Sequence, residues 1–299
     1  MEEPAIVFNN VALTRDHFTL GSLSLSIPKG YVTAIVGPNG SGKSTLFQMI
    51  MNVTKPQQGN IQVLNQELNH HNDDELKQKI GYLQEDATSF DQYIKGYEKA
   101  RFQGKWYRKW NNDTYQRMLS MLGTRDDLAL KKMSKGTRRK FDLALAMSHH
   151  PELLLLDEPS SGLDPIAWKT MIEVLHQYME NEQHTILIAT HIIDEVKRLA
   201  DYIVFLVDGQ VLGTYEKDEL LQSWVTYFIE ASSSIDITQL PGYSEHKLVS
   251  SGFYEVISSK AFEAERWLEE MQVNIRSKQL LELDEILLQQ VKKVRQFAK

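Results

Sequence analysis

From about residue 5 to residue 216, apolar runs suited to β-strands alternate with stretches whose apolar positions recur at helical spacing. Leu23, Leu25 and Ile27 alternate with serines, the period-two mark of a strand with one buried face. Leu153–Leu156 and Ile186–Ala189 are continuous apolar runs, as expected of central parallel strands covered on both faces, and Tyr31–Val36 forms another apolar strand. Asp164-Pro165 reads as an N-cap followed by proline at the first helical position, which predicts a helix to about Glu180. Asp208-Gly209, between Val204–Val207 and Gln210–Gly213, predicts a tight hairpin turn. Between about Glu85 and His150 the strand signals stop and helical ones take over. This predicts an all-helical insertion on an α/β core.

Near residue 217 the pattern changes. Val225–Ala231 and Gly252–Ser258 read as strands, Ala261–Met271 as an amphipathic helix and Val273–Ser277 as a short strand. Leu280, Leu283, Leu287, Val291 and Val294 then recur at three- and four-residue steps in a final helix, where Lys292, Lys293 and Arg295 complement the helix dipole. The serine-rich Ala231–Ser234 is a loop within this appendage. The expected organisation is therefore two domains, residues 1–220 and a small βαβ-type α/β appendage at 221–299 that carries no chemical motif.

Composition narrows the function classes. The 299-residue chain is 42% hydrophobic and 24% charged, inside the globular range, with ample length for a buried core. A net charge of −7 argues against a general nucleic-acid binder. With no cysteine there are neither disulfides nor thiolate metal sites, which fits a reducing cytosolic location. The acidic opening Met1-Glu2-Glu3-Pro4 lacks the basic-then-apolar order of a secretory signal. The longest charge-free apolar stretches, Ser44–Thr54 and Leu220–Ile229, fall short of the roughly 18 residues a membrane span needs. The paired histidines His70-His71 and His149-His150 are adjacent and do not share a helix face, so they do not read as metal ligands.

The chemistry begins at the end of the Tyr31–Val36 strand with Gly37-Pro38-Asn39-Gly40-Ser41-Gly42-Lys43-Ser44-Thr45. Strand, glycine-rich turn and helix start form the layout that cradles a triphosphate on backbone N–H groups and a helix N-terminus. Lys43 offers a point charge to the outer phosphates, and Ser44 a hydroxyl to Mg²⁺. A phosphate loop needs a second element, and Leu153–Leu156 ends in Asp157-Glu158. Asp157 at the strand tip is expected to hold the Mg²⁺ shell, and Glu158 to orient or deprotonate the attacking water.

With Glu158-Pro-Ser-Ser-Gly-Leu-Asp164-Pro and Thr190-His191 following in order, the chain resembles the ATP-binding cassette (ABC) ATPases over about residues 5–216. The resemblance implies an α/β fold, the P-loop NTPase ABC cassette: a mixed sheet core, the helical insertion at about 85–150 and an N-terminal β subdomain. It implies ATP and Mg²⁺ as cofactors, held between two cassettes arranged head to tail. It identifies Met133-Ser134-Lys135-Gly136-Thr137 as the signature peptide that covers the γ-phosphate of the partner's nucleotide. Lys135 and Thr137 depart from the usual Leu-Ser-Gly-Gly-Gln, while Ser134 and Gly136 remain. The same resemblance places Gln84 in the Q-loop, touching Mg²⁺ or water, and makes His191 the switch histidine that contacts Glu158 and the γ-phosphate. It also implies that Asp164 bridges to the partner protomer while capping its own helix. The basic run Lys131 to Lys140 reads as a solvated face beside an anionic ligand. The family's adenine-stacking aromatic is missing; alignment puts Arg15 there, with His17 and Phe18 as alternatives.

The tail Leu281-Glu-Leu-Asp-Glu-Ile-Leu-Leu288 resembles that of bacterial drug, antibiotic and polymer exporters, as does the Trp106–Tyr115 segment. In that segment Trp106, Tyr107 and Trp110 either pack a helix start or lie near the groove for a membrane subunit's helix. The expectation is the ATPase subunit of an ABC exporter. It would act in the cytoplasm, peripheral to the inner face of the membrane, with separate permease subunits and a second cassette as partners and no nucleic acid. The alternatives are a soluble ABC ATPase acting on ribosomes or DNA, and a regulatory cassette of a heterodimeric transporter. Neither two cassettes nor a long coiled coil is present for the first, and Glu158, His191 and Ser134 are retained against the second.

Overall fold

The computed structural model describes residues 3–15, 18–85, 91–230, 235–249 and 252–297, with side chains up to Lys293. The chain parts into two compact units, Met1–Thr214 and Tyr215–Lys299. The first unit opens with β1 (Pro4–Arg15), β2 (Phe18–Pro28), β3 (Val32–Val36), α1 (Lys43–Ile50), β4 (Gln58–Val63), β5 (Gln66–Glu67), α2 (Asp73–Lys77) and β6 (Ile80–Leu83). The helical insertion follows, with α3 (Gly96–Trp106), α4 (Asn112–Met121) and α5 (Lys135–Met147). The chain returns to the core through β7 (Leu153–Asp157), α6 (Pro165–Met179), β8 (Thr185–Thr190), α7 (Ile193–Leu199), β9 (Tyr202–Val207) and β10 (Gln210–Glu216).

Two sheets build the core. The larger has the order β10-β9-β3-β8-β7-β6, and β9, β3, β8, β7 and β6 run parallel. Every residue of β3, β7 and β8 is buried, which accounts for their unbroken apolar character. The smaller sheet, β2-β1-β4-β5, is antiparallel, and β2 keeps one wet face through its serines. Leu153, Leu155, Leu187 and Ala189 from the large sheet share one core with Ile6, Phe8 and Leu25 of the small one and with Leu46 and Phe47 of α1. Alternate residues Leu154, Leu156, Ile186 and Ile188 are equally buried on the opposite face. Asp208 and Gly209 take φ of 47° and 75°, the primed turn that matches strand twist, and a Cβ on Gly209 would stand 2.0 Å from the Thr19 carbonyl. The parallel arrangement brings the carboxyl ends of β3, β6, β7 and β8 to one edge, where ligands of such sheets bind.

The Trp106–Tyr115 segment is mostly packing. Tyr107 stacks on His149 with ring centroids 3.8 Å apart, Trp110 leans on Tyr115 at 5.5 Å, and Trp106 is exposed. Asn111 caps α4, accepting from Thr114 N at 2.9 Å. His149 is 1% exposed; its Nε2 lies 3.1 Å from the Ile80 carbonyl and its Nδ1 has no partner, so the neutral ring donating from Nε2 is the form that fits. Burial pushes its pKa down from 6.5 to about 4. The unfolded chain therefore binds a proton that the folded chain refuses as pH falls from about 6.5 to about 4. Stability contributed by the neutral ring, of the order of 3 kcal/mol, should be lost across that window and be intact above it. Melting midpoints measured from pH 7 to pH 4 should fall more steeply for the wild type than for His149→Phe.

The second unit comprises α8 (Lys217–Ser223), β11 (Val225–Glu230), β12 (Tyr243–Val249), β13 (Phe253–Ser258), α9 (Ala261–Glu270), β14 (Ile275–Leu280) and α10 (Leu283–Phe297). Its sheet, in the order β12-β13-β11-β14, is antiparallel, so β13–α9–β14 is a βαβ crossover split by β11. Val225, Tyr227, Ile229, Val256, Ala264 and Leu268 form its core. Three details correct the sequence reading. The strand expected at Val273–Ser277 forms at Ile275–Leu280, so Leu280 belongs to a strand and is 54% exposed rather than starting the last helix. Within α10 the buried positions are Leu283, Ile286, Gln289 and Gln290, with Leu287 and Val291 only half-buried, while Lys292 ion-pairs with Glu245 at 2.8 Å. The strand β12 has no counterpart in the sequence reading. The loop expected at Ala231–Ser234, and the side chains of Val294 and Arg295, lie outside the described residues.

Candidate nucleotide site

At the end of β3 the chain passes under Leu206, where a Cβ on Gly37 would stand 1.9 Å from the Leu206 carbonyl. The loop then lifts away and closes on Gly42, whose φ of 108° is open to glycine and whose Cβ would strike the Phe18 ring at 2.6 Å. Gly42 is the N-cap of α1 and supplies no side chain to it, so the first-turn N–H groups of Lys43, Ser44 and Thr45 remain available to an anion. Asn39, Gly40, Lys43 and Thr45 line a cavity of about 570 Å³, together with Arg15, Phe18, Glu85 and Glu158. Its volume is that of a small-molecule site. Ser41 is buried, with its Oγ unpartnered.

Lys43 is 6% exposed, and its Nζ donates to the carbonyls of Gly37 at 2.8 Å and Pro38 at 3.2 Å. Burial pushes its pKa down, against the opposing pull of Glu158, Asp157 and Glu85. From the cavity wall, Ser44 Oγ donates to Asp157 Oδ1 at the tip of β7, 3.4 Å away. Burial raises the Asp157 pKa to about 6, with Glu85 and Glu158 adding to the rise, while Ser44 and Arg139 pull it back. A hydroxyl and a crowded carboxylate are hard oxygen donors short of positive charge, and such a set fits Mg²⁺.

Glu158 is 4% exposed and adopts φ 49°, an uncommon conformation for a residue with a Cβ. Its Oε1 lies 2.7 Å from His191 Nδ1 and accepts from the His191 amide at 3.2 Å; Oε2 accepts from Thr190 Oγ1 at 3.1 Å. The carboxylate is therefore fixed by the end of β8 from two directions.

This geometry belongs with known relatives. Residues 20–161 match the family model described as ABC transporter. The lantibiotic transport ATP-binding protein SrtF of Streptococcus pyogenes is 30% identical over 67% of this chain and 85% of its own length. The chain belongs to the ABC transporter ATP-binding family. The bacitracin transport ATP-binding protein BcrA of Bacillus licheniformis is 28% identical over 66% of this chain, and the match spans 65% of BcrA, just under two thirds of that relative. Among solved structures, cbiO1 from Clostridium perfringens, part of the ABC transporter complex cbiONQ, superposes with a TM-score of 0.63. It is 27% identical, covering 74% of this chain and 92% of that one.

Within this cassette the expected site residues divide into two groups. The loop Gly37–Thr45, Asp157, Glu158 and His191 converge at the edge of the large sheet. Ser134, Gly136 and Asp164 do not line that cavity. Ser134 caps α5, accepting from Thr137 N at 3.1 Å, and Asp164 caps α6 through Ile166 N at 3.0 Å and Ala167 N at 2.8 Å. Gly136 packs on the Gly162 carbonyl so closely that a Cβ would stand 2.7 Å from it. Gln84 is exposed and its side chain lines the clefts beside Tyr82 and Lys135, whereas its neighbour Glu85 faces the nucleotide cavity. Arg15 and Phe18 both reach the cavity, and Arg15 also donates to Thr54 Oγ1 at 2.9 Å; His17 lies outside the described residues.

The basic run Lys131 to Lys140 needs correction. Lys131, Lys132 and Lys135 are exposed, but Arg138 and Arg139 are buried at 7% and 5%. Arg138 bridges Asp91 at 2.9 Å and Asp142 at 2.7 Å, and Arg139 holds backbone carbonyls around Glu158. Glu195 also escaped the sequence reading. It is wholly buried and accepts from Ser160 N at 2.7 Å, tying the turn after Glu158 to α7. The available signal was the i, i+4 pair Arg138–Asp142, which marks Arg138 as partnered. Arg139 and Glu195 have no such signal.

Proposed function

We propose that this cassette is the ATP-hydrolysing subunit of an exporter, working on the inner face of the cell membrane with separate membrane-spanning permease subunits. Among the described residues no helix is long and apolar enough to cross a membrane; in this reading the permease subunits supply the span. The relatives SrtF and BcrA carry lantibiotic and bacitracin transport in their names, which supports the export branch.

In this reading the loop Gly37–Thr45 takes the triphosphate, with Lys43 turning from its loop carbonyls to the outer phosphates. Ser44, Asp157 and Gln84 would hold Mg²⁺, and the ion would supply charge neutralisation on the phosphates. Glu158 orients and deprotonates the attacking water, while His191 fixes that carboxylate and faces the γ-phosphate. Ser134 and Gly136 lie away from the cavity on their own chain, which supports their serving a second cassette's nucleotide in a head-to-tail pair, with Asp164 at the shared boundary. The observation that carries the reading is the Glu158 carboxylate, lining a phosphate-loop cavity, held 2.7 Å from His191.

The test is Mg-dependent ATP hydrolysis by the purified chain, together with recovery of the tagged chain from native membranes. The expected results are phosphate release and co-purification of a hydrophobic polytopic protein. Recovery with ribosomes or DNA instead would overturn the transport assignment. Phe18 and Arg15 flank the place for the base, Phe18 by its ring and Arg15 by its guanidinium plane. Stacking of a base on an aromatic contributes about 1–3 kcal/mol, so Phe18→Ala should raise the ATP Kd about tenfold. Its kcat at saturating ATP should stay near wild type, as read by a fluorescent-nucleotide titration beside steady-state turnover.

A further inference from the structure

Arg139 stands on α5, the helix capped by Ser134, and is 5% exposed. Its guanidinium meets two chain segments arriving from different strands. Nη2 donates to the carbonyls of Asp157 and, at 2.6 Å, Glu158; Nε donates to that of Pro159 at 3.3 Å. Nη1 donates to the carbonyls of Gln84 and, at 3.2 Å, Glu85. Each of these bonds goes to a backbone oxygen. A buried cation held by neutral acceptors is a demanding arrangement, since desolvation is offset only when every donor is satisfied. It also pins the residue with the least favourable backbone in the site. Glu158 sits at φ 49°, and a left-handed non-glycine residue persists only where its surroundings over-determine it. Its amide donates to Ala189 O at 2.9 Å and its carbonyl also accepts from Ser161 N at 3.0 Å. Arg139 is the side chain that joins this turn both to the Gln84–Glu85 segment and to α5.

We infer that Arg139 is a positioning residue for ATP hydrolysis: its guanidinium, through the carbonyls of Gln84, Glu85, Asp157, Glu158 and Pro159, sets the Glu158 carboxylate against the nucleotide and ties that setting to the helix that begins at Ser134. This rests on the reading of Glu158 as the base. Arg139 touches neither the loop Gly37–Thr45 nor the cavity, so its loss leaves the triphosphate cradle intact.

The test uses full-length Arg139→Gln and Arg139→Lys, each also combined with Glu158→Gln, assayed well below their melting midpoints. Misplacing a reacting group by an ångström costs up to ~10²-fold, so kcat of Arg139→Gln should fall about 10- to 100-fold. KM and the Kd for a fluorescent ATP analogue should stay within about threefold, because binding and chemistry separate when only the transition-state geometry is lost. Arg139→Lys keeps the charge but reaches fewer carbonyls and should fall between. In the Glu158→Gln background either substitution should add little further loss, since two residues acting through one carboxylate are non-additive. Unchanged kcat in folded Arg139→Gln overturns the inference, as does a parallel loss of ATP binding or a fully additive loss in the double variant. Should Arg139→Gln fail to fold, Arg139→Lys decides on the same criteria. Full activity of Glu158→Gln itself would instead remove the reading of the base.

Discussion

A Glu158→Gln protein is expected to bind Mg-ATP with wild-type affinity and to hydrolyse it ~10²–10⁴-fold more slowly, the contribution of a positioned acid–base group. The substitution keeps the size of the side chain and removes its basicity. Both carboxylate oxygens are engaged on their outer sides, Oε2 by Thr190 and Oε1 by the ring and amide of His191. What remains points toward the cavity that Glu158 lines, so proton acceptance there is the property the amide loses. The fold should tolerate the change. A glutamine oxygen can still accept from His191 N, and the imidazole, 48% exposed, can adopt the tautomer that suits an amide hydrogen. Phosphate release under steady state, beside a nucleotide titration, measures both halves; turnover within threefold of wild type would remove Glu158 from the mechanism. The trapped variant also probes pairing. With hydrolysis stalled, ATP should shift it from monomer to dimer in sizing experiments, and a strictly monomeric loaded protein, alone and beside the permease subunits proposed for it, would contradict the shared-nucleotide geometry.

The residues that converge on that carboxylate differ in how far the sequence announces them. Asp157 and Glu158 follow four leucines, and a buried central strand has almost no other way to appear, so β7 and its tip were plain. Asp164-Pro165 and Asp208-Gly209 were legible because each encodes a local backbone geometry that tertiary packing has little power to change. Gly37–Thr45 was legible for the same reason. Arg139 was hidden among five other cations, since burial against backbone carbonyls leaves neither periodicity nor a complementary charge at a fixed spacing. The direction of Gln84 was equally hidden. It follows the last residue of β6, where alternation ends, and Arg139 takes its carbonyl, so Glu85 rather than Gln84 faces the cavity. In the second unit β12 reads Tyr-Ser-Glu-His-Lys-Leu-Val and has no fully buried residue, leaving no apolar face to detect. Leu280 shows the converse failure. A leucine three residues ahead of an amphipathic helix fits the helical spacing, and pairing with Val225 across β11 and β14 overrides it.

Lys43→Ala should fail one step earlier than Glu158→Gln, at nucleotide binding. The ammonium lies in a wall of the cavity, 6% exposed, with two neutral carbonyls as its hydrogen-bond partners and Glu158, Asp157 and Glu85 as its charged surroundings. A triphosphate offers it stronger acceptors than Gly37 and Pro38 do. Hydrogen bonds to charged groups contribute about 1.5–3 kcal/mol each. At 1.4 kcal/mol per tenfold, loss of two such bonds, about 3–6 kcal/mol, raises the ATP Kd about 100-fold or more. The alanine also removes a cation from beside three carboxylates, so an incoming polyanion meets a more negative cavity, and the loss should be steeper at low salt. Thermal melting gives an independent measure. At ATP 100-fold above the wild-type Kd, binding stabilises the folded protein by about 2.7 kcal/mol, and a 100-fold weaker variant retains only a few tenths. At about 2–4 °C per kcal/mol for a domain of this size, the ATP-induced shift should drop from several degrees to about one. The nucleotide-free midpoint should move far less, because desolvation of the ammonium already offsets much of what its two carbonyl contacts contribute. Unaltered ATP affinity in a folded Lys43→Ala protein would contradict the phosphate-loop assignment, whereas a lost melting shift beside an intact shift in Glu158→Gln would separate the residue that holds the triphosphate from the one that cleaves it.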